Sequence, residues 1–222
     1  MRSPGDVCAP AILDVRARYN PTLSSHWSIV PGIVAVLTQV VTLMVVGLSV
    51  AREREAGTFD QLLVTPFTQG EILLGKGLPG LLIATVEASV IILAAVLWFD
   101  VPLRGSLLAL LLGVFLLAAS VIGIGLMISS IAVTQQQALQ GAFLFMAPAI
   151  IVSGFATQIA DMSTVIQHLT RINPMRHFLI VVRGVFLEGS TVSAFMPEYA
   201  AMAAIAAVSL FAAGWLFRRR VY

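Results

Sequence analysis

Five long apolar stretches divide the chain, at 29–51, 78–99, 106–131, 138–155 and 199–217. Arg52 closes the first, Asp100 and Pro102 the second, and Arg218-Arg219-Arg220 the last; the fourth contains Pro148. A helix needs about 20 mostly apolar residues to cross a bilayer. Inside lipid every backbone polar group must be satisfied within the protein, which leaves helices as the only scaffold for such runs. The pattern predicts an all-α membrane protein with five transmembrane helices. An odd number of crossings puts the termini on opposite sides. The arginine cluster directly against the last span favours a cytoplasmic C-terminus. The loop with Arg52, Arg54 and Lys76 is then cytoplasmic too, and the N-terminus and the loop at 156–198 lie outside. Arg171, Arg176 and Arg183 run against that assignment.

Ahead of the first span the period changes to two. Leu13, Val15, Ala17 and Tyr19 alternate with Asp14, Arg16, Arg18 and Asn20, the pattern of a half-buried strand. The strand is placed at 12–19 and ends at Asn20-Pro21. A lone strand needs something to pair with. Residues 1–28 therefore read as the remnant of an external domain, and 29–222 as the transmembrane domain. The chain is expected to be the C-terminal part of a larger protein or an unusually short version of one.

The connections carry their own signals. Thr58 and Gln61 fit a capping box, and Phe59, Leu62 and Leu63 then share one face of a short helix that stops before Pro66. Thr68 and Glu71 form a second box that opens the helix of the second span. The first of these helices is amphipathic and lies across the membrane surface. It fits an interfacial helix resting on headgroups, and it fits a docking element for a cytoplasmic partner. Glu53, Glu55 and Asp60 beside Arg52 and Arg54 suit a protein partner better than an anionic lipid surface. In the second cytoplasmic loop, Thr134 and Gln137 form another box. That loop is a polar turn or, through Thr134 and Gln135, a second and smaller contact. On the outer side, Asn173-Pro174 breaks a helix and Gly189 ends the apolar run 177–187, in which Arg183 is the one charge. A broken pair of this kind predicts re-entrant or interfacial helices, forming a cap over the bundle or a packing element.

Composition narrows the class. The chain of 222 residues is 59% apolar and 11% charged, with a mean hydropathy of +0.96. A soluble domain is about 45–50% apolar and about 25% charged, so a water-soluble enzyme, a disordered chain and a disulfide scaffold are excluded. The net charge is +2 and no basic stripe carries interleaved aromatics, so no nucleic-acid partner is expected. Glu87 lies mid-way along the second span, where an ionisable group is costly and usually faces a bundle interior. It is a candidate for proton or cation handling, or a packing group bonded to Thr85 or Ser89. Small residues around Gly123 and Gly125 give the third span a smooth face for close helix contact. His26, His168 and His177 make no metal pattern, and neither a catalytic nor a metal site is expected. Residues 70–76 match G-x-x-x-x-G-K, but Gly77 follows where a P-loop needs Ser or Thr, and the segment begins a helix instead of following a strand. If ATP is used, another subunit must hold it.

The first cytoplasmic loop resembles that of the ABC-2 type transporter permeases. The match runs through Glu53, Arg54, Glu55, Gly57, Thr58, Leu62, Pro66, Glu71, Gly75 and Lys76. Ala147-Pro148, Ser153-Gly154, Asn173-Pro174 and Arg183-Gly184 resemble the same family, and Tyr19-Asn20-Pro21 leading into Val30-Pro31-Gly32 resembles its bacterial multidrug-type branch. The resemblance implies a permease of the bacterial inner membrane, without an active site, that exports drugs or other hydrophobic small molecules. It implies two permeases, as a homodimer or heterodimer, on cytoplasmic ATPase subunits that bind ATP and magnesium. Glu53, Arg54, Glu55, Gly57, Thr58, Phe59, Leu62, Leu63 and Pro66 would form the coupling segment to that ATPase. Glu87, Pro148, Ser153, Gly154, Asn173 and Pro174 would be candidates for the path and its outer gate. It further implies six spans and a large external domain, of which the first span and most of that domain are absent from this sequence. Two other readings fit the residues: a secondary carrier that uses Glu87, and a non-transporting membrane fragment or scaffold.

Overall fold

The computed structural model describes residues 26–58, 68–155 and 162–221, and every regular element within them is helical. Helix α1 (His26–Gly47) runs almost straight into α2 (Ser49–Glu55). The backbone ladder continues across the joint through Leu48 N to Met44 O (3.1 Å) and Arg52 N to Leu48 O (3.0 Å). Helix α3 (Gln69–Leu97) opens on the expected capping box, with both reciprocal Thr68–Glu71 bonds formed. Then come α4 (Leu107–Ile131), α5 (Gln135–Val152) and the short α6 (Thr164–Leu169). Asn173 caps α7 (Pro174–Arg183), with Pro174 in the first turn where its missing N–H costs nothing. The last helix is α8 (Met196–Val221).

Helix α4 is the centre of the bundle and packs against α8, α1 and α3. Small residues set the spacing. A Cβ on Gly123 would fall 2.7 Å from the backbone nitrogen of Leu210 in α8, and one on Gly125 would fall 3.3 Å from that of Gly47 in α1. The smooth face expected on this helix therefore serves two neighbours, one on each side. Close approach also lets side chains bond across the α4–α8 seam. Ser120 Oγ donates to Met202 O (3.1 Å), Ser209 Oγ donates to Ser120 O (3.2 Å), and Tyr199 Oη donates to Ala109 O (2.8 Å).

Two ends of the bundle can be told apart. At one, Val50 of α2 and Phe217 of α8 are buried together against Ile72 and Leu73 of α3. At the other, Phe155 lies on Gly32 of α1, and Gly105 N donates to Val185 O (2.9 Å). The basic C-terminal turn of α8 thus shares an end with α2 and the start of α3.

Four helical stretches are long and apolar enough to cross a membrane: Ile29–Glu55, Gly70–Leu97, Leu107–Ile131 and Val192–Arg219. The protein is a multi-pass membrane protein. The fourth expected span, 138–155, differs. Its helix, α5, has 18 residues, stops at Val152, and spends Gln135, Gln136, Gln137 and Gln140 on its first turns. Ser153 bonds back to Ile150 O and Gly154 takes φ +87°, which ends the helix early. The segment after α5 contains the short helices α6 and α7, and α7 is buried against α1, α4 and α8. The strand expected at 12–19 and residues 59–67 of the first loop lie outside the described residues.

Gly123→Val tests the central contact. Its side chain would press on Ser209 Oγ and on the backbone of Ser209 and Leu210, so thermal unfolding in detergent should show a loss of about 1–3 kcal/mol. An unchanged midpoint would mean that α4 and α8 are not this close.

Candidate functional site: the junction of α2 with three helices

The run Glu53-Arg54-Glu55 at the end of α2 binds three different elements. Glu53 forms an ion pair with Lys76 of α3. Arg54 donates through Nη1 to Ser130 O (2.9 Å) and Ala132 O (3.3 Å), at the end of α4. Glu55 Oε2 accepts from Gln135 N (2.9 Å), the first residue of α5. One turn earlier, Ser129 of α4 accepts with its hydroxyl from Val50 N (3.0 Å) and Ala51 N (3.2 Å).

Each partner matches its charge. A helix ends in carbonyls with no later amide to bond, and begins with amides that have no earlier carbonyl. The macrodipole makes the first end negative and the second positive. Arg54 meets the carbonyl end of α4 and Glu55 the amide end of α5, so two neighbouring residues straddle the turn at 132–134 with the correct signs. Thr134 completes the start of α5 by accepting from Gln137 N (3.2 Å). The return bond of the expected capping box is made one residue earlier: Gln137 Oε1 accepts from Val133 N (3.0 Å).

Gly57 shapes the exit from this junction. Gly57 N donates to Arg54 O (3.1 Å) and Thr58 N to Glu53 O (3.0 Å), while Gly57 takes φ +70°. This is a Schellman ending, whose left-handed position favours glycine. The sequence E-R-E-A-G-T therefore has a local explanation: three charged ties, then a turn that directs the chain away. Phe59, Leu62, Leu63 and Pro66 come next and lie outside the described residues. The P-loop look-alike at 70–76 lies in the start of α3, with its Lys76 bound to Glu53.

Glu87 is placed elsewhere. Its Oε2 is buried without a hydrogen-bond partner among the described residues, as are Thr38 Oγ1 and both amide atoms of Gln39 on α1. Gly80 of α3 faces Val46 of α1. Seven residues along a helix returns nearly to the same face. In this antiparallel pair Glu87 lies that far beyond Gly80 and Gln39 that far before Val46. Both therefore face the α1–α3 seam at one level. The expected partners of Glu87 are engaged otherwise: Thr85 Oγ1 donates to Leu81 O (2.8 Å) and Ser89 Oγ to Thr85 O (2.7 Å).

The remaining candidates gather at the opposite end. Asn173 donates through Nδ2 to Ala149 O (2.6 Å) and accepts at Oδ1 from Met175 N (3.1 Å), tying α5 to α7. Pro148, Asn173 and Pro174 line one apolar cavity of about 610 Å³ between α4, α5 and α8. Ser153 and Gly154 form the turn beside it, where Gly154 O accepts from Arg183 Nη2 (3.4 Å). Burial lowers the Arg183 pKa from its ordinary value. His177 of α7 bridges the Glu198 carboxylate and Arg171 O. Sequence reasoning missed Ser129, Ser130, Thr38, Gln39 and the His177 bridge. A hydroxyl or amide inside an apolar run does not reveal which neighbouring helix it meets.

The ABC-2 type transporter family model matches residues 12–187. The chain is 39% identical over 209 residues to the probable multidrug ABC transporter permease YbhR of Escherichia coli (strain K12), covering 94% of this chain and 57% of that protein. It is 39% identical over 185 residues to the probable multidrug ABC transporter permease YbhS of the same strain, covering 81% of this chain and 48% of that protein. It is 28% identical over 212 residues to that strain's inner membrane transport permease YhhJ, covering 94% of this chain and 56% of that protein. The chain thus spans about half the length of the curated relatives it matches.

The Arg54 and Glu53 ties at the junction should differ in strength. Arg54→Met orphans helix-end carbonyls and should cost about 1.5–3 kcal/mol in reversible unfolding. Glu53→Gln removes a partly exposed ion pair and should cost about 1 kcal/mol or less. The reverse order would show that the α3 tie dominates.

Proposed function

This chain belongs to the ABC-2 type transporter family, and on that premise we propose that it is a permease subunit of an ATP-driven exporter in a bacterial inner membrane. The observation that carries the reading is the junction. The segment from Thr58 to Pro66 leaves a turn whose preceding three residues are bonded to α3, α4 and α5. In this reading that segment docks on a cytoplasmic ATPase, which binds ATP and magnesium. A push on it reaches three helices at once, because Glu53, Arg54 and Glu55 leave little slack between them. Thr134 and Gln135 lie within the same junction and form the second, smaller contact.

The crossings follow from this arrangement. Helix α5 starts at the junction beside Glu55, and the chain just past its end reaches Gly32 at the far end of the bundle. Its 18 residues rise about 27 Å, near the about 30 Å of the hydrocarbon core. We therefore read it as a fifth crossing with its glutamines among the headgroups. Docking on a cytoplasmic ATPase would put the junction and Arg218–Arg220, at the same end of the bundle, in the cytoplasm, and Asn173, Pro174 and the buried α7 at the outer mouth. There α7 acts as a re-entrant cap, and the cavity lined by Pro148 and Asn173 belongs to the exit path. A second permease completes the path in a homodimer or heterodimer. The relatives' names make drugs or other hydrophobic molecules the proposed cargo. A carrier driven through Glu87 finds no support in relatives named as ABC permeases.

Co-purification from bacterial membranes with the ATPase subunit encoded beside the chain tests this reading. Wild type should retain the ATPase, and Phe59→Asp should lose it while still reaching the membrane. Equal retention by both would remove the docking role from this loop.

A further inference from the structure

A second groove runs along the other side of α4, between α3 and α8, with a volume of about 650 Å³. This lies in the range of about 300–1,000 Å³ typical of ligand sites. Its floor is made of small residues, Gly77, Ala119 and Gly214, and its walls include Leu78, Phe115 and Phe211. The groove opens at the junction end of the bundle, where Arg218 and Trp215 line it. Arg219 stacks on the Trp215 ring, 4.1 Å from the centroid, which holds a second guanidinium beside the mouth. Among the described residues neither Arg218 nor Arg219 has an ion-pair partner. The nearest acid in sequence to the groove's Gly70 is Glu71, and its carboxylate is turned onto Thr68 N.

The length of the groove selects its occupant. Along α3 it extends from Gly70 to Leu81 and along α8 from Leu210 to Arg218. At 1.5 Å per residue these are about 16 Å and about 12 Å, half of the about 30 Å hydrocarbon core. A further transmembrane helix would need a groove through both halves. A lipid tail occupies one leaflet and carries its headgroup at the surface. The arginines stand where that headgroup would lie, at the end of a span, where basic side chains reach for the interface.

We infer that this groove is a binding site for an anionic phospholipid, with an acyl chain over Gly77, Ala119 and Gly214 and the phosphate on Arg218 and Arg219. The inference is independent of the transport reading, since it needs only the membrane and the arginines at its surface.

Quenching of Trp215 tests it. The full chain, carrying Trp27→Phe and Trp98→Phe, is reconstituted in phosphatidylcholine vesicles. In one series brominated phosphatidylglycerol is added, in the other brominated phosphatidylcholine at equal mole fraction. The anionic lipid should quench at about tenfold lower mole fraction, in keeping with basic attraction at a membrane surface. Arg218→Gln with Arg219→Gln should abolish the preference, and Arg218→Lys with Arg219→Lys should keep it. Gly214→Leu should weaken quenching by both lipids. Equal quenching by the two lipids in wild type would overturn the inference and leave ordinary surrounding lipid. Loss of the preference on adding inorganic phosphate would mark a bare anion site. Absence of quenching by either lipid would mean that protein, such as a second copy of this chain, covers the groove.

Discussion

Arg54 and Glu55 are neighbours in sequence, so one short piece of backbone fixes both the carbonyl end of α4 and the amide end of α5. The turn between those helices cannot shift relative to α2 without leaving a charge or a helix end unpaired. The Arg54 tie is half-buried, so stranding it leaves a desolvation cost; the Glu55 tie is exposed to solvent and costs less to lose. Glu53 adds α3 through Lys76, and Val50 adds α8 through its contact with Phe217. The end of the bundle from which the first loop departs is thus held by ties to α3, α4, α5 and α8.

Elsewhere the seams differ in character. Between α4 and α8, glycine-set spacing brings backbones close enough for Ser120, Ser209 and Tyr199 to bond across. Between α1 and α3, Gly80 meets the Val46 side chain, and Gln39 and Glu87 face that seam with buried atoms unpartnered among the described residues. Buried polar groups of this kind weaken the arrangement that buries them. The molecule therefore combines a firmly bonded seam with an under-bonded one. The under-bonded seam joins α1, which continues into α2, to α3.

Much of this was legible in the sequence. The apolar runs gave the long helices because lipid allows little else. Gly123 and Gly125 announced close packing, Thr68 and Thr134 announced helix starts, and Asn173-Pro174 announced a break, because each signal is local. The position of α5, not its length, was misplaced: the helix starts earlier, on Gln135, and Ser153 and Gly154 end it at Val152 by turning the chain, although the apolar run extends further. The E-R-E run was visible as a pattern, but not its partners. Charge alone does not tell that Arg54 meets the end of one helix and Glu55 the start of the next, since that depends on how α4 and α5 return to α2. Gln39, unpaired among the described residues, was invisible for the same reason.

In the proposed function, the ties of Glu53, Arg54 and Glu55 pass motion from a partner ATPase to the helices, separately from docking itself. The most direct measurement is transport per ATP hydrolysed, in vesicles containing the permease and its ATPase, for wild type and Glu55→Gln. The substitution keeps the shape of the side chain and removes the charge at the start of α5. The ATPase should still bind and hydrolyse while transport per ATP falls about tenfold, the scale of one charge-assisted hydrogen bond. An unchanged ratio, with the ATPase bound, would contradict it and leave the junction a purely structural joint.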